Sequence, residues 1–101
     1  MDIRQTKNGN HAIISLGGRF DFNAHREFKE SYTALMADTA IQALEINLSG
    51  VDYMDSSALG MLLMLRERAQ TSNKQISLSH PNPTVVKILD IANFNKLFTI
   101  S

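Results

Sequence analysis

Three residues with side chains suited to chemistry stand together at Asp55, Ser56 and Ser57, directly before an uncharged and mostly apolar run, 58–65. A serine hydroxyl serves proteins as a nucleophile, as a helix cap or as a carrier of phosphate. The role that applies here depends on whether a general base, a helix start or an exposed surface adjoins the two serines.

Catalysis by either serine is not expected. An activated serine needs an adjacent general base, usually histidine or lysine, and donors that stabilise an oxyanion. The three histidines, His11, His25 and His80, are scattered along the chain, and the segment MDSSALG lacks the G-x-S-x-G pattern of a nucleophile elbow. We therefore predict no catalytic residue and no enzyme activity.

Metal and cofactor sites are not expected either. The chain contains no cysteine, and its histidines lack the spacing of metal ligands. No G-x-x-x-x-G-K loop or G-x-G-x-x-G turn is present to hold the phosphates of a nucleotide, and the pair Gly17-Gly18 is better explained as the end of a strand. Direct binding of a nucleotide or another small molecule is a minor hypothesis, which calorimetry with GTP and ATP tests.

The composition predicts a single globular domain, 1–101, that does not bind nucleic acid. Hydrophobic residues make up 44% of the chain and charged residues 20%, which is ordinary for a globular protein. Ten basic and ten acidic residues cancel, whereas nucleic acids and anionic membranes attract an excess of Lys and Arg. The first ten residues are polar, and the longest apolar run is far shorter than the ~20 residues that span a bilayer. We expect no membrane insertion and a cytoplasmic location.

Strands and helices alternate along the sequence. Alternating apolar residues predict strands at 3–6, 11–18, 43–50, 75–79 and 97–100. Apolar residues at helical spacing predict three helices, with Asp21 or Asn23 able to cap the first, and Asn82 and Pro83 beginning the third. The order β-β-α-β-α-β-α-β predicts an α/β domain with a mixed sheet of four to five strands.

The strand pattern also predicts how the helices cover the sheet. Leu44, Ile46 and Leu48 alternate strictly with Glu45 and Asn47. A sheet covered on both faces has continuous apolar runs instead. We therefore expect the helices mainly on one face and a partly open second face.

The two serines lie in the turn that enters the second predicted helix. The unpaired N–H groups and the positive end of the helix dipole at such a position tolerate a phosphate well. Ser56 or Ser57 is also a suitable N-cap. The two roles are compatible, because one serine caps the helix while the other stays exposed.

Two methionines and a glycine distinguish the helix after the serines. Met61 and Met64 lie off the core stripe, and we predict that both are near the surface, as extra core packing or as an adaptable contact patch. Gly60 lowers helix propensity by up to ~1 kcal/mol relative to Ala. This glycine suggests close approach of another backbone, from this domain or from a partner.

The sequence around the serines resembles the STAS domains, specifically the stand-alone bacterial anti-sigma factor antagonists. The resemblance is carried by LSGVDYMDSSALGMLLMLRERA, by LGGRFDFNAHREFKE and by PNPTVVKILDIANFNKLFTI, and it covers nearly the whole chain. It implies a single STAS-type domain that binds other proteins.

The resemblance also implies a role for individual residues. In that family an anti-sigma factor with serine kinase activity phosphorylates the serine after the aspartate, which is Ser56 here. The unphosphorylated antagonist binds the anti-sigma factor, phosphorylation breaks the complex, and a PP2C-type phosphatase restores it. The resemblance adds Asp21 and Asp55 to the partner surface. The predicted partner-binding residues are Asp21, Asp55, Ser57, Gly60, Met61 and Met64.

An alternative function follows from other small STAS proteins, which act in secretion or biofilm pathways or in transport complexes. In this alternative the chain is a non-phosphorylated subunit of a transport complex, of the lipid ABC-transporter type, and Ser56 is only a cap.

Overall fold

The computed structural model describes all 101 residues, and its elements follow the predicted order. Short 3-10 turns at Phe22–Ala24 and Phe94–Lys96 precede the first helix and the last strand. The elements are β1 (Asp2–Asn8), β2 (His11–Phe20), α1 (His25–Ala37), β3 (Ala43–Met54), α2 (Ser56–Thr71), β4 (Gln75–Ser79), α3 (Pro83–Ile91) and β5 (Thr99–Ile100).

The five strands form one mixed sheet in the order β1-β2-β3-β4-β5. β1 pairs with β2 in antiparallel orientation, and the remaining neighbours are parallel. Parallel neighbours need a crossover, which the helices supply: α1 connects β2 to β3, and α2 connects β3 to β4. The predicted α/β class and the mixed sheet are confirmed.

The sheet has one buried face and one partly open face. Leu44, Ile46 and Leu48 of β3 are buried, whereas Glu45 and Asn47 between them are partly exposed. Buried side chains from all three helices join the buried face of the sheet in a single hydrophobic cluster. The prediction that the helices lie mainly on one face is therefore confirmed.

Three strands, β1, β2 and β3, extend further than the sequence predicted, whereas β5 is limited to Thr99–Ile100. β2 does not end at Gly17-Gly18, and β3 is not closed by Gly50, because both continue through shifts of register to Phe20 and Met54. Gly18 has a φ of +92°, and a Cβ placed on Gly50 would lie 2.9 Å from a carbonyl oxygen of β2. These glycines thus permit irregular, close pairing within the sheet rather than ending it.

The third helix begins as predicted. The side chain of Asn82 accepts a hydrogen bond from the backbone N–H of Val85 at 2.9 Å, and Pro83 is the first helical residue. The amide of Asn82 also donates to the carbonyl oxygen of Val51 at 2.8 Å. One side chain therefore caps α3 and ties it to the extended end of β3.

None of the three helices combines the length and the apolar composition that are needed to cross a membrane.

Candidate functional site

Asp55 caps α2. Its backbone is extended, with φ −101° and ψ −178°, and its carboxylate accepts a hydrogen bond from the backbone N–H of Ala58 at 2.8 Å. Ser56 and Ser57 are already helical. The prediction that one of the serines is the N-cap is therefore wrong, because the cap requires the extended backbone that only Asp55 has.

The two serines differ in exposure. Ser56 is the first residue of α2 and is exposed, whereas Ser57, one residue into the helix, is half-buried. The first N–H groups of α2 have no partner within the helix. The Asp55 carboxylate accepts from one of them, that of Ala58. The hydroxyl of Ser56 thus stands on the surface, in a local field that favours negative charge.

The two predicted acids lie at the same end of the sheet. Phe20 and Met54 are register partners in β2 and β3, and the backbone N–H of Asp55 donates to the carbonyl oxygen of Phe20 at 3.3 Å. Asp21 follows Phe20 directly, and its carboxylate accepts from the backbone N–H of Asn23 at 3.0 Å, capping the turn before α1. The structure therefore brings Asp21 to the segment that contains Asp55 and Ser56.

Three further residues near Asp21 and Asp55 were missed by the sequence analysis. Arg19 and Tyr53 are register partners, and the Arg19 guanidinium carbon lies 4.4 Å from the centroid of the Tyr53 ring. The same guanidinium donates to Asp21 at 3.1 Å. The Phe22 side chain, in the turn after Asp21, is 71% exposed. In the sequence Phe22 stands between the polar residues Asp21 and Asn23. That position was the signal that could have revealed an exposed aromatic side chain.

The methionines of α2 occupy different environments. Met64 is 46% exposed, but Met61 is only 4% exposed and belongs to the core. Met61 stands three residues after Ala58 and four before Leu65, so helical geometry places it on their buried face. The prediction that both methionines are near the surface is wrong for Met61 and correct for Met64.

Gly60 is not explained by packing within this domain. A Cβ placed on this residue would meet no atom within 4 Å beyond its own helix. The expected close approach of another backbone is therefore not made by this chain. Close approach of a partner at Gly60 stays a prediction.

A further serine near ionisable groups, Ser79, shares a sheet face with Glu45 and Asn47 but is itself buried. Ser79 donates a hydrogen bond to the Glu45 carboxylate at 2.6 Å, and the opposite carboxylate oxygen lies 3.4 Å from His11 Nε2. The histidine therefore contacts the acid and not the serine, so the cluster is not an arrangement that activates a nucleophile. No group of three or more His, Asp or Glu side chains has the geometry to hold a metal ion.

Comparison with known proteins matches residues 3–99 to the family model described as "Mlab, STAS domain". A STAS-domain containing protein of Pseudomonas aeruginosa (strain UCBPP-PA14) is 45% identical over 93 residues, which are 92% of this chain and 90% of that protein. The anti-sigma F factor antagonist of Lysinibacillus sphaericus is 28% identical over 81 residues, covering 79% of this chain and 68% of the antagonist.

Solved structures give the same fold. The unphosphorylated form of the anti-sigma factor antagonist SpoIIAA aligns with a TM-score of 0.83 at 19% identity, covering 99% of this chain and 88% of that one. The phosphorylated form of the same Bacillus protein aligns with a TM-score of 0.76 at 18% identity, covering 99% and 91%. The predicted STAS-type fold is confirmed by these alignments.

Proposed function

Since this chain belongs to the STAS domain family, we propose that it is a phosphorylation-controlled protein-binding module of the anti-sigma factor antagonist type. It binds an anti-sigma factor with serine kinase activity when Ser56 is unphosphorylated, and phosphorylation of Ser56 releases it. The observation that carries this proposal is the position of Ser56, exposed as the first residue of α2, directly after the capping aspartate.

The geometry favours Ser56 over Ser57 as the phosphorylated residue. A kinase must surround the hydroxyl that it modifies, which an exposed serine permits and a half-buried one hinders. The cap is provided by Asp55, so Ser56 is free of that structural role. A phosphate there would also meet the positive end of the α2 dipole, so the fold need not change to accommodate it.

The partner contacts a continuous surface next to this serine, which we call the docking surface. It comprises the β2–α1 turn and the exposed side of the first three turns of α2. Met61 is excluded because it is buried. The residues of the docking surface are Asp21, Phe22, Asp55, Ser57, Gly60 and Met64.

Phosphorylation acts as a local electrostatic and steric switch. A phosphate adds roughly −1.5 to −2 charges at neutral pH. Asp55 already adds a negative charge beside Ser56, whereas the charge of Asp21 is paired with Arg19, and Met64 supplies apolar contact area two turns along α2. Burying an unpaired dianion at the edge of such a contact costs several kcal/mol, and about 1.4 kcal/mol changes an affinity tenfold. The switch therefore needs no refolding.

The proposal includes a reversible cycle in the cytoplasm. A PP2C-type phosphatase removes the phosphate and restores binding. The likeness to an antagonist whose unphosphorylated and phosphorylated forms share one fold supports a cycle in which the domain stays folded.

Phosphate mapping tests the proposal directly. The purified chain is incubated with ATP and each anti-sigma-type serine kinase of the same genome, and the modified residue is located by mass spectrometry. We expect one phosphate on Ser56, retained in Ser57→Ala and lost in Ser56→Ala. No modification by any of these kinases, together with copurification with a transporter ATPase, would favour the non-phosphorylated transport subunit instead.

A further inference from the structure

A groove between α1 and α2 lies beside the docking surface and has no role in the proposed switch. Its volume is about 260 Å³. Met64 forms one wall, so the groove opens next to an exposed apolar residue of the docking surface. The groove is lined by Lys29, Tyr32, Met64, Glu67, Arg68 and Thr71.

Tyr32 is buried as a residue but has a hydroxyl without a protein partner. The residue is 3% exposed, and its ring packs edge-on against Phe28 with 5.4 Å between centroids. Every fully buried side-chain nitrogen or oxygen of the chain has a hydrogen-bond partner. The Tyr32 hydroxyl has none, so it is accessible, and it reaches the groove that Tyr32 lines. A tyrosine hydroxyl in this setting is available as a hydrogen-bond donor.

Two cations flank the same groove without an anionic partner. None of the four ion pairs of the chain includes Lys29 or Arg68. Arg68 is near enough to Tyr32 for its charge to lower the pKa of the phenol, partly offsetting the larger rise that burial causes. The Thr71 hydroxyl donates its hydrogen bond to the carbonyl oxygen of Glu67 at 3.0 Å, so it is not a free donor in the groove. The Glu67 carboxylate also lines the groove and is in none of the four ion pairs, so the free groups of the groove are two cations, one phenol hydroxyl and one carboxylate, with a net positive charge.

We propose that this groove receives an acidic side chain of the protein that binds the docking surface. A carboxylate only accepts hydrogen bonds, and it matches the three free donors of Lys29, Tyr32 and Arg68. The volume is below the ~300–1,000 Å³ usual for small-molecule pockets, which favours a single side chain over a free ligand. Because Met64 belongs to both the groove and the docking surface, one partner can contact both, and we assign the acidic side chain to that partner. The inference deepens the proposed function and rests on it for the partner that supplies the acid.

A peptide titration tests the groove without a kinase or a phosphate. The probe is acetyl-Leu-Glu-Leu-amide, added to the isotope-labelled chain and followed by nuclear magnetic resonance. We expect shifts confined to α1 residues near Tyr32 and α2 residues near Arg68, with a dissociation constant on the order of 1 mM. The peptide with glutamine in place of glutamate should bind at least about tenfold more weakly, because it lacks the charge.

Two variants and a control make the test specific. Arg68→Ala should weaken binding at least about tenfold, and Tyr32→Phe about threefold while keeping the ring in place. Arg26→Ala, an exposed cation elsewhere on α1, should leave the affinity unchanged. No binding, equal binding of the glutamine peptide, or shifts centred away from the groove would overturn the proposal. Because the titration does not involve Ser56, its failure and a failure of phosphorylation are distinguishable.

Discussion

The backbone N–H of Asp55 donates a hydrogen bond to the carbonyl oxygen of Phe20 at 3.3 Å, which joins the ends of β3 and β2. This bond forms because β2 continues past Gly18, and β3 past Gly50, to the same end of the sheet. It sets Asp21, in the next turn, beside the start of α2. The proposed site of phosphorylation and the acidic turn are therefore held together by the sheet.

Asp55→Ala should lower the free energy of unfolding by about 1 kcal/mol, because the first turn of α2 loses its side-chain acceptor for the Ala58 N–H. Asp55→Asn should keep most of that stability, since asparagine caps equally well. Urea denaturation measures both changes. Ser57→Ala is the matched control and should stay within about 0.5 kcal/mol of the wild type. A larger loss for Ser57→Ala than for Asp55→Ala would contradict the assignment of the cap.

Gly60→Ala should raise the free energy of unfolding by up to ~1 kcal/mol. Space for the added methyl group is open, and alanine favours a helix more than glycine does. The same variant should bind the partner more weakly, because we assign Gly60 to the docking surface. Thermal or urea unfolding measures the first effect and calorimetry with the partner the second. Unchanged affinity would remove Gly60 from the docking surface.

Met64→Lys should weaken partner binding at least about tenfold, because a charge replaces the exposed apolar side chain that α2 contributes to the docking surface. Its stability should remain within about 0.5 kcal/mol of the wild type. Val86→Lys is the control, since Val86 of α3 is 37% exposed and outside the docking surface. If both lysine variants bind as well as the wild type, α2 does not form the contact.

Tyr32→Phe should match the wild type in stability near pH 7 and exceed it above about pH 10. Burial raises the pKa of Tyr32 above its ordinary value of 10.0, despite the opposing charge of Arg68. The native state then holds the phenolic proton more tightly than the unfolded chain does. Wild-type stability is therefore full below the unfolded pKa and falls as pH rises through the folded pKa, whereas phenylalanine has no proton to lose. Urea midpoints at pH 7 and about 10.5 test this, and an equal pH dependence of both proteins would disagree with it.

The sequence predicted the order of the elements because their patterns are strong. Strict alternation around Glu45 and Asn47 revealed the open face of the sheet, and Asn82 with Pro83 marked the start of α3. The cap of α2 was missed because Asp55 and both serines are all suitable residue types. Only the backbone dihedrals distinguish them.

The other misses depend on contacts between distant parts of the chain. The strands continue past Gly18 and Gly50 because register shifts accommodate those glycines, which no local pattern indicates. The stacking of Arg19 on Tyr53 depends on that same register. Met61 was misplaced because Ala58, Leu62, Leu65 and Ala69 alone define a narrow stripe, whereas the buried face of α2 is wider.

The most direct test of the account is the affinity of the cognate anti-sigma-type kinase for two forms of the Ser57→Ala chain. One form is unphosphorylated, and the other carries a single phosphate on Ser56, verified by mass spectrometry. Calorimetry should give micromolar or tighter binding for the first form and binding at least about 100-fold weaker for the second. Circular dichroism should show the same folded domain in both forms. Equal affinity of the two forms would contradict the proposal that Ser56 controls the docking surface.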